Sequence, residues 1–270
     1  MTLDVLVCGS LHLDTVVRGR LPARDETVMG EGVEYACGGK GGNQAVAAAR
    51  AGARTAMIGR VGDDDAGRTL RADLQAHGVD IALVQTGPEP SGMSVAIVNA
   101  DGDYGAVVVS GANRMIEVGE VPEARVLVLQ NEVPEAVNRA VLARATGAFA
   151  IWNAAPARDV SLPVDLLVVN RVEAAAMFGA TVETPEEAVA ALRAGRSPVP
   201  LACVTLGEGG AVIGGRDGAE HVPAPAVTVR STHGAGDAFT GTLAAAMAGG
   251  AEPLEAVRGA VEAAARFVAG

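Results

Sequence analysis

Residues 231–241 read Ser-Thr-His-Gly-Ala-Gly-Asp-Ala-Phe-Thr-Gly and run directly into an alanine-rich stretch that ends at Met247. Glycine and alanine carry little or no side chain, so the backbone can turn tightly just before a segment that favours helix. The first N–H groups of such a helix have no partner within it and, together with the helix dipole, attract an anion. We therefore predict a helix over 235–247 whose first turn can bind a negatively charged group.

Asp237 lies in the first turn of that predicted helix. A carboxylate there can accept a proton close to a phosphoryl group held by the amides, which suits phosphoryl transfer to a hydroxyl, a reaction catalysed mainly by positioning and charge stabilisation. In the alternative interpretation, Asp237 only complements the helix dipole, and Gly234 and Gly236 only form a turn. The structural interpretation is the commoner one for an isolated Gly-x-Gly-Asp. The choice between it and the catalytic interpretation therefore depends on the other motifs of the chain.

The composition limits the class of protein. With 270 residues, of which 49% are hydrophobic, the chain can bury a large core. Its net charge of -11 argues against binding to nucleic acid or to an anionic membrane surface. The apolar runs are shorter than a membrane span and the N-terminus lacks a basic signal sequence, so we expect a cytoplasmic protein. The three cysteines have no Cys-x-x-Cys spacing and indicate neither a disulfide framework nor a zinc site.

Short apolar runs alternate with segments that favour helix, which predicts an α/β fold with a mostly parallel sheet covered by helices on both faces. The predicted strands span 3–9, 55–61, 81–85, 126–130, 149–153, 166–169, 201–205 and 211–214. The predicted helices span 42–53, 64–77, 134–145, 172–178, 235–247 and 253–267. We interpret residues 1–270 as a single domain.

The segment 91–110 differs from the rest of the chain, because its residues alternate around a turn at 99–103 and so predict a β-hairpin. Both faces of this hairpin are apolar. We expect it to form a lid over the site and also to pack on a second subunit, which predicts a homodimer. Other lid strands are expected at about 11–17 and 27–37.

The most glycine-dense loop contains Lys40, the only lysine in the chain, in the run Gly38-Gly39-Lys40-Gly41-Gly42-Asn43-Gln44. We predict a strand-to-helix loop over 38–43, with Asn43 either capping the helix or binding a ligand. The loop lacks the Gly-Lys-Ser/Thr of a Walker A motif and is not a Gly-x-Gly-x-x-Gly motif after a strand. A nicotinamide oxidoreductase is therefore poorly supported.

Polar side chains follow several predicted strands, where ligand sites of open sheets gather. Asp14 either faces solvent or holds substrate hydroxyls, and Glu132 lies just past a strand end. Asn170 and Glu173 either form a helix capping box or orient phosphate and magnesium-bound water. The open backbone of residues 205–210 suits the ribose and phosphates of a nucleotide.

These blocks together resemble the ribokinase-like (PfkB) family of carbohydrate kinases, and within it the ribokinases. The blocks that carry the resemblance are Gly9-Ser10 with Asp14, 38–47, 130–132, 153–158, 170–173, 205–207 and 234–237. The resemblance implies a three-layer α/β/α sheet with a small β lid. It also implies transfer of the ATP γ-phosphoryl group, with Mg²⁺, to the primary hydroxyl of a pentose, with D-ribose as the expected acceptor.

The resemblance also implies roles for individual residues. The sugar would be bound by Asp14, Gly38, Gly39, Lys40, Asn43 and Glu132. ATP would contact Asn170, Thr205 and Gly207, and Glu173 would hold magnesium through water. Gly234, Ala235 and Gly236 would form the anion hole, and Asp237 would accept the proton of the attacking hydroxyl.

Three features depart from the family pattern. Ribokinases usually have Asn where this chain has His12, close to the sugar, and Asp where it has Ser231, in a monovalent-cation site. The sequence also stops at Gly270, before a segment that helps to hold potassium in ribokinases. We therefore expect weak or absent potassium activation. The alternatives are another sugar or nucleoside kinase of the family, or a sugar- or nucleotide-binding protein without turnover.

Overall fold

The computed structural model describes residues 2–99 and 104–270. In chain order its strands are β1 Leu3–Cys8, β2 His12–Arg18, β3 Gly32–Gly38, β4 Thr55–Gly62, β5 Val84–Gly87, β6 Gly92–Val98, β7 Tyr104–Val109, β8 Ala124–Gln130, β9 Phe149–Asn153, β10 Leu166–Asn170, β11 Leu201–Thr205, β12 Ala211–Gly215 and β13 Gly218–Val222. The α-helices are α1 Lys40–Arg50, α2 Asp65–Ala76, α3 Glu135–Arg144, α4 Arg171–Phe178, α5 Pro185–Arg193, α6 Ala235–Ala248 and α7 Pro253–Ala269.

The large sheet has the strand order β13-β12-β11-β10-β9-β8-β1-β4-β5. Its strands are parallel from β11 to β5, while β12 and β13 are antiparallel additions at one edge. Successive residues of β1 enter different cores, as a strand buried on both faces requires. Val5 and Val7 pack with α1, α2, α6 and α7, whereas Leu6 and Cys8 pack with α3, α4 and α5. This arrangement confirms the predicted three-layer α/β/α fold.

The small sheet has the order β3-β2-β6-β7. Strand β2 is antiparallel to β3 and parallel to β6, and β6 and β7 form the predicted antiparallel hairpin. Part of the predicted hairpin turn, residues 100–103, lies outside the described residues. We call this sheet the lid, because one of its faces covers a cavity beside α1 and α6.

Several element boundaries differ from those predicted. Helix α1 begins at Lys40 rather than at residue 42, because Gly39, with φ of 88°, supplies the N-cap and the helix continues through Gly41 and Gly42. Strand β5 begins at Val84, three residues later than predicted. Helix α5 and strand β13 were not predicted. Within the described residues, no helix is both long enough and apolar enough to cross a membrane.

Candidate active site

The starts of α1 and α6 meet at the carboxyl end of the large sheet. Gly41 lies so close to the end of β1 that a Cβ atom there would be 2.6 Å from Ser10 N. A Cβ on Gly241 would likewise lie 2.4 Å from Gln44 O, where α6 crosses α1. Only glycine permits backbones to approach this closely, so these positions bring the first turns of both helices to one point.

Asp237 lies at that point, in the first turn of α6 and 7% exposed. The helix begins after Gly234, whose φ of 82° falls in the left-handed region. Asp237 Oδ2 accepts a hydrogen bond from Asn43 Nδ2 at 3.1 Å, and Oδ1 accepts one from Gln44 Nε2 at 2.9 Å. Burial raises the pKa of Asp237, while the charge of Lys40 and the two amide donors act in the opposite direction.

Some backbone amides of the predicted anion-binding turn are already hydrogen-bonded within it. Ala235 N donates to Thr232 O at 3.2 Å and Asp237 N to Gly234 O at 3.1 Å, so these amides are engaged within the turn. Gly236 is exposed, and a Cβ there would have no atom within 4 Å. No residue in the described part of the chain accepts a hydrogen bond from Gly236 N–H. The Gly236 amide is therefore available to an anion that approaches from open space.

Glu132 joins the loop after β8 to the start of α1. Its Oε2 accepts hydrogen bonds from Ser10 Oγ at 2.5 Å and from Lys40 N at 2.9 Å, and His12 Nδ1 lies 3.9 Å away. Burial raises the pKa of both Asp237 and Glu173, and the charge of Lys40 opposes this rise in each case, so one ammonium group acts on two carboxylates of the site.

The carboxylate of Asp14 on β2 lies over Gly38 on β3, although the strand register pairs Asp14 with Ala36. Asp14 is half-buried and its Oδ1 accepts a hydrogen bond from Ser94 Oγ at 2.6 Å. A Cβ on Gly38 would lie 2.1 Å from Asp14 Oδ2, so a larger residue would displace this carboxylate. Asp14 is thus half-buried on the face of the lid that lines the cavity.

A cavity of about 910 Å³ lies between the lid, α1 and α6. Its lining includes five predicted site residues, Asp14, Gly38, Asn43, Gly234 and Asp237. Asn43 does not cap α1, because the N-cap is Gly39 and the Asn43 amide is directed at Asp237. We call the region formed by these five residues with Gly39, Lys40 and Glu132 the lid side of the site.

The remaining predicted residues form a second group, which we call the α4 side. Asn170 Oδ1 accepts from Glu173 N at 2.9 Å and Glu173 Oε2 accepts from Asn170 N at 2.9 Å, which confirms the capping box. Glu173 is buried, and this burial raises its pKa. Thr205 Oγ1 donates to Val169 O at 3.4 Å, and Gly207 is exposed with φ of 61°. None of these four residues lines the cavity.

Sequence reasoning missed the buried amides behind Asp237, which belong to Gln44, Gln130 and Asn153. Gln44 is a fully buried polar residue in an otherwise alanine-rich segment. That contrast was the available signal, since a buried amide needs hydrogen-bond partners.

Comparison with known proteins agrees with this architecture. A family model described as pfkB family carbohydrate kinase matches residues 2–269. A deoxyribokinase from Salmonella typhi is 34% identical over 263 residues, which cover 90% of this chain and 85% of that protein. A ribokinase from Bacillus subtilis is 33% identical over 269 residues, which cover 94% of this chain and 89% of the relative.

A solved structure extends the comparison to three dimensions. The structure of Arabidopsis thaliana ribokinase complexed with ribose and ATP matches with a TM-score of 0.90 at 29% identity, covering 99% of this chain and 93% of that chain. On this evidence from sequence and fold, the chain belongs to the PfkB family of carbohydrate kinases.

Proposed function

We propose that this kinase transfers the γ-phosphoryl group of ATP to the primary hydroxyl of D-ribose and forms ribose 5-phosphate. The observation that carries the proposal is the position of Asp237. Its carboxylate lines the cavity under the lid and lies one residue from the open amide of Gly236. A hydroxyl in the cavity could therefore lose its proton to Asp237 while the phosphoryl group is held at the start of α6.

The lid side supplies the groups that a pentose needs. Asp14 and Glu132 are hydrogen-bond acceptors for sugar hydroxyls, and Lys40 and Asn43 are donors. The backbone at Gly38 and Gly39 allows a sugar to approach closely, because neither residue carries a side chain. Gly234, Ala235 and Gly236 form the turn toward the phosphoryl group, with the Gly236 N–H as its open donor.

The α4 side suits ATP and magnesium. Within residues 2–99 and 104–270, no three His, Cys, Asp or Glu side chains are grouped to hold a metal directly. Mg²⁺ keeps most of its water and needs few protein ligands. A single buried carboxylate beside an amide, Glu173 with Asn170, fits that requirement. The ion would neutralise charge on the transferring group, while Thr205 and Gly207 would contact the nucleotide.

A second acceptor, 2-deoxy-D-ribose, is favoured by two observations. The Salmonella typhi relative at 34% identity is a deoxyribokinase. His12, which stands where ribokinases usually have Asn, is buried beside Glu132 and its Nε2 has no hydrogen-bond partner. An imidazole here cannot reproduce the donor-and-acceptor pair of an asparagine amide, so its contacts with the sugar would differ from those of a ribokinase.

The assembly proposed for the enzyme is a homodimer of single-domain subunits in the cytoplasm, where ATP is supplied. The support lies in the outer lid face, by which we mean the lid surface that carries Val33, Tyr35, Val95, Val107 and Val109. These side chains are 38–67% exposed. The strand register places Val95 opposite Val107, on the side of the sheet away from Asp14. A second copy of the same face would cover this apolar surface.

An ADP-release assay with Mg-ATP and a panel of pentoses, hexoses and nucleosides tests the proposal. We expect the highest kcat/KM for D-ribose, with 2-deoxy-D-ribose next. A nucleoside or hexose as the best acceptor would contradict the assignment of ribose. The absence of ADP release with every sugar would favour a binding protein instead.

A further inference from the structure

Three buried amide side chains form a row behind Asp237. Gln44 on α1 and Gln130 at the end of β8 are fully buried, and Asn153 ends β9. Gln44 Nε2 donates to Asp237 Oδ1 at 2.9 Å and to Asn153 Oδ1 at 3.0 Å, while Gln130 Nε2 donates to Gln44 Oε1 at 2.9 Å. The row connects the carboxylate on α6 to the ends of two central strands.

The contacts allow only one orientation of the Gln44 amide. Its Nε2 lies against two oxygens, one of them carboxylate, so this atom must be the donor. A flipped amide would place Oε1 against both oxygens and Nε2 against the NH₂ group of Gln130. The Asn153 amide is fixed in turn, because its Nδ2 donates to Val168 O at 3.3 Å.

Gln44 differs from its neighbour Asn43, although both donate to Asp237. Asn43 lines the cavity and can contact a substrate, whereas Gln44 is fully buried and does not line it. Gln44 reaches Asp237 because α1 and α6 cross at Gly241, which has no side chain to separate them. Among the side chains assigned to the site, the one that Gln44 contacts is Asp237, so a direct effect of Gln44 on the reaction would act through this carboxylate.

We propose that Gln44 is a positioning residue, which fixes the Asp237 carboxylate in place to accept the proton of the attacking hydroxyl. This inference rests on the proposed function. Three charged groups act on Asp237: Lys40 from α1, Glu132 from the loop after β8 and Glu173 from α4. Without Gln44, only Lys40 and Asn43 would favour the ionised carboxylate of Asp237. Burial and the two acidic neighbours, Glu132 and Glu173, favour the protonated carboxyl.

The test is the pH dependence of kcat for Gln44→Met, measured at saturating ribose and Mg-ATP. We expect kcat to fall about 10- to 100-fold, since a slightly misplaced catalytic group can cost that much. The acidic limb of the profile should move upward by roughly one pH unit. The KM for ribose should change little. Gln44→Glu, which places an acid against Asp237, should move the limb further.

Asn138→Leu is a matched control that also removes a buried amide. Asn138 Nδ2 donates to Gln130 O at 2.7 Å and does not contact Asp237. This variant should lose stability but keep the acidic limb of the wild-type enzyme. Circular dichroism at each pH would confirm that every variant is folded.

A folded Gln44→Met enzyme with the wild-type kcat and pH profile would overturn the positioning role. If Gln44→Met does not fold, Gln130→Met serves instead, because it removes the donor to Gln44 Oε1 and leaves the contact with Asp237. A smaller shift in the same direction supports the role, and an unchanged profile overturns it. Full turnover in Asp237→Asn would instead overturn the proposed base, and with it the proposed mechanism, whatever Gln44 shows.

Discussion

The lid side and the α4 side of the site are built in different ways. On the lid side, Asp14, Glu132 and Asp237 are held by hydrogen bonds from other elements of the fold. On the α4 side, Asn170 and Glu173 bond to each other across one helix start, and Gly207 is open to solvent. In the proposed function, the sugar would therefore be held by precisely placed side chains, and the nucleotide mainly by a backbone surface and one carboxylate.

Asp237→Asn should have the largest effect on the lid side, because it removes the only proposed base. General-base catalysis is worth about 10²–10⁴-fold, and we expect kcat to fall by that factor. Ribose affinity, measured by isothermal titration calorimetry, should be nearly unchanged. Asp73→Asn is the matched control, since Asp73 also lines the cavity but lies on α2. Equal kcat in the Asp237 and Asp73 variants would contradict the role of Asp237.

Asp14→Asn should weaken the lid side without affecting the α4 side. A hydrogen bond to a charged group contributes about 1.5–3 kcal/mol, so kcat/KM for ribose should fall roughly 10- to 100-fold. The KM for ATP should stay the same. Ser94→Ala removes only the donor to Asp14 and should have a smaller effect in the same direction. An equal rise in both KM values would show that the two sides are not separate.

Glu173→Gln tests the α4 side in return. Glutamine keeps an oxygen that can accept from Asn170 N, so the cap of α4 should survive and the melting temperature should change little. The lost charge should raise the magnesium concentration needed for half-maximal rate by about tenfold, the value of one lost charge-assisted contact. The KM for ribose should not change. A normal magnesium requirement would remove Glu173 from the proposed site.

Asp237 should also make stability depend on pH. Because burial raises its pKa in the folded state, the protonated carboxyl stabilises the fold fully below the unfolded pKa of about 3.9, and this contribution is lost as pH rises through the folded pKa. The free energy of unfolding of Asp237→Asn, relative to wild type, should therefore increase between pH 4 and pH 8. Urea titrations across this range would measure it, and a constant difference would contradict the burial effect.

The smallest effect is expected from monovalent cations. Ser231 is exposed and its hydroxyl accepts from His233 N at 3.2 Å, in the place where ribokinases usually have a carboxylate. Turnover should therefore be nearly the same in potassium and sodium buffers. A large increase specific to potassium would contradict this expectation.

Local pattern predicted most of the fold, since strands such as β1 and β8 are continuous apolar runs and helices such as α6 are alanine-rich. The start of α1 was placed two residues too late, because two glycines inside a helix oppose its propensity and only packing against β1 compensates. Helix α5 was missed although Thr184 and Glu187 form a capping box that was visible in the sequence.

The candidate site was predicted less completely. Motifs indicated Asp237, Asp14 and Lys40, but no local pattern shows that Gln44 contacts a carboxylate 193 positions away in the chain. Nor could the sequence show that the amide of Ala235 is used within the turn while that of Gly236 is free. The first fact depends on how α1 and α6 cross, which is a property of the whole core, and the second depends on the conformation of the turn at Gly234.

The most direct test of the central claim is the position of the phosphate in the product. The enzyme, ribose and Mg-ATP would be incubated and the sugar phosphate analysed by phosphorus-proton coupled NMR. Coupling of the new phosphorus to the two C5 protons of ribose is the predicted result. A phosphate on any other oxygen, or no sugar phosphate at all, would contradict the arrangement in which Asp237 deprotonates a primary hydroxyl beside the start of α6.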